Sequence, residues 1–363
     1  LAHALKKVTG IQQNLKVLDL CAAPGGKSTL IQSLISKDSL LVSNEVIKTR
    51  IPVLYQNITK WGQANNMVTN NDPAHFKKLS GFFDIMLIDA PCSGSGLFRK
   101  DPEAAANWSM DLVNLCSQRQ RRILADAWDC LKEDGYLIYS TCSYATEENE
   151  DILDSIFREY SCLSVPLDPD PEWGIIETKS AQAGAYGYRF YPDKVSGEGF
   201  YISVLQKKQS VTTVRSPRTN QKLSRLEKTI EKQVSQWIDK GSHSFISVGE
   251  GVHVLPSFLE NDFEILKNTL YLKKAGVRIG KAGEHDWIPD HELALANILK
   301  PDAAHLEVEK PDAIRFLKGE SPEISIREKG WRVVIYRGQR LGWVKLLEKR
   351  MNNYYPKSWR IRK

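Results

Sequence analysis

Two cysteines stand where a thiol could act as a nucleophile. Cys92 lies in the polar loop 89–96 (Asp-Ala-Pro-Cys-Ser-Gly-Ser-Gly), directly after the apolar run 83–88. Cys142 lies in the loop 140–144 (Ser-Thr-Cys-Ser-Tyr), directly after the apolar run 136–139. A buried cysteine is usually an inert, small apolar side chain. Two of them in polar loops at the carboxyl ends of strands, with the carboxylate of Asp89 alongside, suit covalent chemistry instead. If the two strands are neighbours, both thiols face one crevice. Cys116, Cys130 and Cys162 fall in helical or apolar surroundings and read as structural. None of the six cysteines forms a C-x-x-C pair, so no zinc site and no disulfide framework is indicated. Reduced thiols in a cytoplasmic protein are expected.

A third loop suits a nucleotide-like ligand. Residues 21–27 (Cys21, Ala22, Ala23, Pro24, Gly25, Gly26 and Lys27) follow the short apolar run 16–20 and precede a helix expected over 28–36. Small residues there let backbone N–H groups and a helix N-terminus come close to a polar ligand. Gly26-Lys27-Ser28 suggests a phosphate-binding loop, but Cys21 stands where that loop requires glycine. The G-x-G-x-x-G dinucleotide pattern is absent too. Glu45, just past a strand at 40–43, is placed to accept both ribose hydroxyls of an adenosine. Asp72, after a strand at 67–69, is a weaker candidate for the adenine amino group.

These loops need a frame. Strand and helix patterns alternate from about 15 to 208, which predicts a doubly wound α/β sheet with ligands at the carboxyl ends of its strands. A long helix is expected over 110–131, closed by Asp134-Gly135, with a second over 147–160 and a late edge strand over 199–205. Residues 207–225 are polar and basic, with Ser216-Pro217, and read as a linker followed by a helix over 222–240. Strand patterns at 331–336 and 341–344 indicate a separate, smaller, mixed α/β or β-barrel-like domain. The expected division is 1–208, a linker 209–225, and 226–363.

Composition sets the outer limits. The chain has 363 residues, 42% hydrophobic and 26% charged, as in ordinary globular proteins. No run approaches the roughly 20 apolar residues of a membrane helix, and no signal peptide is visible. The net charge of +6 is unevenly spread. Residues 327–363 hold 12 Lys or Arg against 2 Asp or Glu, a net of +10, so the rest sums to −4. Trp331, Tyr336, Trp343, Tyr354, Tyr355 and Trp359 are interleaved with that charge. The pattern suits phosphates by charge and unstacked bases by stacking. The aromatics are expected mostly inside and the cations mostly outside. Glu284, His285, Asp286, Asp290 and His291 cluster in sequence, but their spacing fits no common metal site. A solvated loop and no metal are expected there.

Residues 16–27, 84–108, 134–150 and 187–206 resemble the motifs of the Nop/Sun family of RNA cytosine-5 methyltransferases. The resemblance includes Phe98-Arg-Lys-Asp-Pro102, Trp108-Ser109, Arg189-Phe-Tyr-Pro192 and Gly197-Glu-Gly-Phe200. Leu341-Gly-Trp-Val-Lys345 and Tyr354-Tyr-Pro-Lys357 are similar to the PUA-like tail of bacterial members that modify ribosomal RNA. The resemblance implies a Rossmann-like methyltransferase sheet and S-adenosylmethionine as cofactor, bound by residues 21–27, Glu45, Asp72 and Asp89. It also implies that Cys142 attacks the base, that Cys92 assists the later elimination, and that Asp89 and Lys27 hold the cytosine. The implied partner is RNA, ribosomal before transfer RNA, with no membrane and no obligate protein partner. The family usually carries a further RNA-binding segment before the first strand. Only 15 residues precede Lys16 here, so part of the native start is expected to be missing. A DNA cytosine methyltransferase would attack through Cys92 and would not carry Cys142. A nicotinamide oxidoreductase would need the missing glycine pattern. An inactive RNA-binding factor would be expected to have lost a cysteine or Asp89.

Overall fold

Four strands that are buried along most of their length form the centre of a sheet covered on both faces. They are β1 (Lys16–Asp19), β2 (Leu40–Asn44), β4 (Phe83–Asp89) and β5 (Leu131–Thr141), with β3 (Asn66–Thr69) beyond β2. In this computed structural model the described residues are 1–9, 14–214, 232, 234–238, 241–248, 251–283, 287–322, 328–348 and 350–362. The linker from residue 215 onward, most of the expected helix 222–240, Glu284, His285, Asp286, Arg327, Lys349 and Lys363 lie outside them.

Strand β1 pairs in parallel with both β2 and β4, and β4 pairs in parallel with β5. The order along the sheet is β3-β2-β1-β4-β5, followed by β9 (Phe200–Lys207), β8 (Tyr186–Phe190) and β7 (Ile176–Lys179). A strand at Leu272–Ala275 adds at the outer side of β3, and β6 (Cys162–Ser164) pairs antiparallel with β9. Chain order reverses between β1 and β4, which is where a doubly wound sheet binds its ligands. Strand β9 runs antiparallel between β5 and β8, so it is interior and not the edge strand its alternation suggested. Alternating burial suits an edge strand and a central antiparallel strand alike.

The helices follow the sequence with shifted ends. Helix α2 (Gly26–Leu34) starts at the glycines themselves, after Gly25 at φ 109°. Helix α5 (Met110–Ala127) opens on Ser109, whose Oγ accepts from the Leu112 N–H at 3.2 Å. It buries Val113, Cys116, Gln120, Ile123, Leu124 and Ala127, a stripe at helical spacing. It ends four residues short of Leu131, because Trp128 is buried and stacks on Tyr160. Buried Lys207 then donates to the carbonyls of Trp128 and Leu131. Asp134 and Gly135 do not close this helix; they lie within β5, where Asp134 adopts φ 61° and the register to β4 shifts. Helix α6 (Glu150–Glu159) starts after a 3-10 turn at Thr146–Glu148.

The chain divides into two units. One comprises Leu1–Tyr55, Met67–Pro217 and Glu264–Lys273; the other comprises Gln56–Asn66, Arg218–Phe263 and Lys274–Lys363. Two short segments thus group across the division expected from sequence. The second unit has two four-stranded sheets. One is antiparallel and holds His243–Val248, Gly251–Pro256, Val277–Ala282 and Trp287–Pro289. The other holds His305–Glu307, Gly330–Tyr336, Gln339–Leu346 and Met351–Asn353, with its first pair parallel. Trp237, Trp287 and Trp343 are buried in its core. Of the six C-terminal aromatics only Trp343 is fully buried, and Tyr354 is exposed. Arg332, Arg340, Lys345 and Arg360 are half-buried, whereas Lys329, Arg337, Arg350, Lys357 and Arg362 are exposed. The Arg340 guanidinium donates to the carbonyls of Ala296 and Leu299, so this cation supports the fold of its own unit. Among the described residues no helix is long and apolar enough to cross a membrane, and no metal-ligand group is found.

Candidate active site

A cavity of about 510 Å³ opens at the carboxyl ends of β1, β2, β4 and β5. Cys21, Ala23, Glu45, Asp89, Cys92 and Cys142 all line it. The β4–β5 register explains the meeting of the last three. Asp89 pairs with Ser140, so the two loops leave the sheet side by side, and the thiols follow within three residues. Cys92 Sγ lies 3.0 Å from Cys142 Sγ, and the Cys142 backbone N–H donates to Cys92 Sγ at 3.3 Å.

The two thiols are not equivalent. The hydrogen bond from Cys92 holds the Cys142 thiol below its ordinary value, and the nearby Lys27 charge acts in the same direction. That same bond, together with burial, pushes Cys92 up. Of the two, Cys142 is therefore the thiol whose ionised form is favoured. Beside them, Asp89 accepts from Lys27 Nζ at 2.7 Å and from Ser140 Oγ at 2.8 Å. Lys27 is thereby held against Asp89, and with Ala22, Pro24, Gly25 and Gly26 it does not line the cavity itself. Cys21 is a different kind of thiol: burial pushes it well up, and it acts as a wall.

Glu45 is 2% exposed. Its Oε1 accepts from the Ile47 N–H at 2.9 Å, and its Oε2 sits 3.2 Å from Arg50 Nη1. That contact lacks hydrogen-bond geometry, so Oε2 is a buried acceptor without a hydrogen bond. Such an atom fits a ligand that brings hydroxyl donors, as a ribose does. Asp72 is engaged elsewhere. Its Oδ1 accepts from the Ala74 N–H at 3.0 Å, its Oδ2 lies 3.3 Å from Arg122 Nη2, and only its neighbour Pro73 reaches the cavity wall.

Several residues of the site carry no signal that sequence reading picked up. Asp19 ends β1 fully buried, accepts from Ser28 Oγ at 2.6 Å, and is pushed up to about 7 by burial. An acid inside an apolar strand just before the 21–27 loop was the available clue. Arg50 and Arg119 line the cavity from helical segments without a motif. Arg189, which the sequence marked only as part of a motif, donates from β8 to the Tyr144 carbonyl at 2.8 Å and forms a buried ion pair with Glu150, which ties the Cys142 loop to β8. Glycines close the gap between loops. A Cβ on Gly96 would stand 2.6 Å from both the Cys142 and the Gly199 carbonyl oxygens.

Residues 7–206 match the family model described as 16S rRNA methyltransferase RsmB/F, and residues 303–361 match the methyltransferase RsmF PUA domain. The chain is similar to the ribosomal RNA small subunit methyltransferase F of Shewanella piezotolerans, at 29% identity over 351 residues, covering 94% of this chain and 73% of the relative. It is similar to the protein of the same name from Psychromonas ingrahamii, at 30% identity over 362 residues, with coverage of 94% and 73%. Among solved structures it is similar to that of PH0851, with a TM-score of 0.51 and 29% identity, covering 57% of this chain and 45% of that one.

Proposed function

Because this chain belongs to the 16S rRNA methyltransferase RsmB/F family, we propose that it methylates carbon 5 of a cytosine in ribosomal RNA through a covalent bond between Cys142 and the base. S-adenosylmethionine-dependent methylation of ribosomal RNA comes with membership. Carbon 5 and the covalent link are supported by one observation above others. Two thiols stand 3.0 Å apart at the ends of neighbouring strands, in the cavity that Glu45 and Asp89 also line.

Carbon 5 of cytosine is too weak a nucleophile to accept a methyl group directly. The Cys142 thiolate donates its electron pair to carbon 6, and the electrons of the 5,6 double bond move to carbon 5. S-adenosylmethionine supplies an electrophilic methyl group when bound. Cys92 then serves the elimination as the base: its sulfur takes the proton from carbon 5, the 5,6 double bond re-forms, and the sulfur–carbon electron pair returns to Cys142. Asp89 and Lys27, held together at 2.7 Å, orient the ring and offset its developing charge. Glu45 receives the ribose hydroxyls of the cofactor. Asp72 acts on the adenine side only through the turn it caps, which sets Pro73 in the cavity wall, and residues 21–27 form the turn against which the cofactor lies. The target nucleotide must leave any stack to reach the thiols, so an unpaired base is expected. Residues 1–208 carry the chemistry, and 226–363 grip RNA beyond a linker at 209–225. The exposed cations Lys329, Arg337, Arg350, Lys357 and Arg362 meet phosphates. A ribosomal substrate puts the working enzyme in the cytoplasm.

The direct test is bisulfite sequencing of 16S rRNA after incubation with the protein and S-adenosylmethionine. One cytosine should become protected. Methyl label entering the RNA with no protected cytosine would overturn the reading.

Two substitutions probe its supports. Glu45→Ala removes charge-assisted hydrogen bonds of on the order of 2–3 kcal/mol, so cofactor affinity should fall roughly 30- to 150-fold. Calorimetric titration with unchanged affinity would remove Glu45 from the site. Gly96→Ala forces a Cβ against the carbonyl oxygens of Cys142 itself and of Gly199. Turnover should drop on the order of 100-fold, since a shift of about 1 Å at a reacting group costs that much. An initial rate within threefold of the parent would show that the loops absorb the methyl group.

A further inference from the structure

Glu148 is fully buried, yet it is built into the site from four directions. Its Oε1 accepts from the Ser93 N–H at 2.8 Å and from Gln120 Nε2 at 3.3 Å. Its Oε2 accepts from Ser93 Oγ and Ser143 Oγ, both at 2.5 Å. Ser93 follows Cys92 and Ser143 follows Cys142. One carboxyl group therefore holds the residue next to each thiol, and Gln120 anchors it to α5 while also donating to the Pro91 carbonyl at 3.0 Å. The Tyr139 hydroxyl fixes the Glu148 backbone by donating to its carbonyl at 2.7 Å. Among the described residues no cation pairs with it. Every group that meets its two oxygens is uncharged. Burying a carboxyl group is costly unless all its lone pairs are met, and a fold that carries that cost needs the group where it is.

We propose that Glu148 is a positioning residue that clamps the Cys92 and Cys142 loops together and sets the spacing and charge of the thiol pair. The proposal rests on the reading of Cys142 as the attacking group. Glu148 touches neither sulfur, so it acts through the two serines and through its field. Its negative charge adds to the causes that push Cys92 up, which favours ionisation at Cys142 over Cys92. The neighbouring acids differ. Glu147 has no comparable role, and Glu150 is committed to Arg189.

The test is Glu148→Gln, which keeps the shape but loses the charge and turns an amide donor toward at least one existing donor. We expect kcat for methyl transfer to fall on the order of 100-fold. KM for RNA and the cofactor affinity should stay within about twofold, because neither contact is made by this residue. Limited iodoacetamide labelling read by mass spectrometry adds a readout that a purely structural role would not move. The parent should be labelled mainly at Cys142, and the variant should divide its label between Cys92 and Cys142. A kcat within threefold of the parent together with an unchanged labelling ratio overturns the proposal. If Glu148→Gln does not bind cofactor, Ser143→Ala decides. A roughly tenfold loss of kcat with a shifted labelling ratio supports the clamp, and parent values overturn it. A parent that forms no covalent adduct with RNA would defeat the Cys142 reading instead, and that result is separate from either variant.

Discussion

Cys142→Ala should abolish methyl transfer and should form no covalent complex with RNA. Without the attacking sulfur, carbon 5 is never activated, and loss of a covalent nucleophile lowers turnover by on the order of 10⁴-fold or more. The fold should survive, because the change removes one sulfur from the cavity wall and leaves the buried sheet intact. Cofactor titration should therefore match the parent. If the variant kept even a tenth of the parental rate, Cys142 would not be the nucleophile.

Cys92→Ala should behave in a different way. Attack remains possible, but the elimination that frees the enzyme is impaired. The variant should accumulate a protein–RNA adduct that survives denaturing electrophoresis, while multiple turnover falls by on the order of 100-fold or more. The geometry explains why the roles do not simply exchange. The Cys142 backbone N–H donates to Cys92 Sγ and not the reverse, and the contact between the sulfurs pushes Cys92 up and holds Cys142 down. An enzyme that attacked through Cys92, as a DNA cytosine methyltransferase would, predicts the reverse. Adducts would then come from Cys142→Ala and vanish in Cys92→Ala.

Much of the site's framework could be read from local pattern. Apolar runs at 83–88 and 136–139, each followed by a polar loop, put Asp89, Cys92 and Cys142 at strand ends. What the sequence left conditional was that β4 and β5 are neighbours. The pairing of Asp89 with Ser140 meets that condition. Residues whose surroundings come from distant parts of the chain could not be read. Three acids occur at 147, 148 and 150, and nothing local distinguishes the one that Ser93, Gln120 and Ser143 enclose. Arg340 looked like part of a phosphate-binding surface, but it serves backbone carbonyls because its strand packs beside Ala296 and Leu299. For Asp72 the short-range option won: its side chain caps the turn that begins at Pro73, a common fate of an aspartate before proline. Helix α5 ended early for a reason invisible at short range, the buried Lys207 that binds the Trp128 and Leu131 carbonyls from 76 or more positions away.

Which sulfur bonds to the base decides the mechanism. Ribosomal RNA containing 5-fluorocytidine cannot lose fluorine from carbon 5, so the parent protein should remain attached to it after one methyl transfer. Nuclease and protease digestion followed by mass spectrometry should find the modified nucleotide on the peptide that contains Cys142, with Cys92 unmodified. A nucleotide carried by Cys92, or no adduct from a protein that methylates the same RNA, would contradict the mechanism.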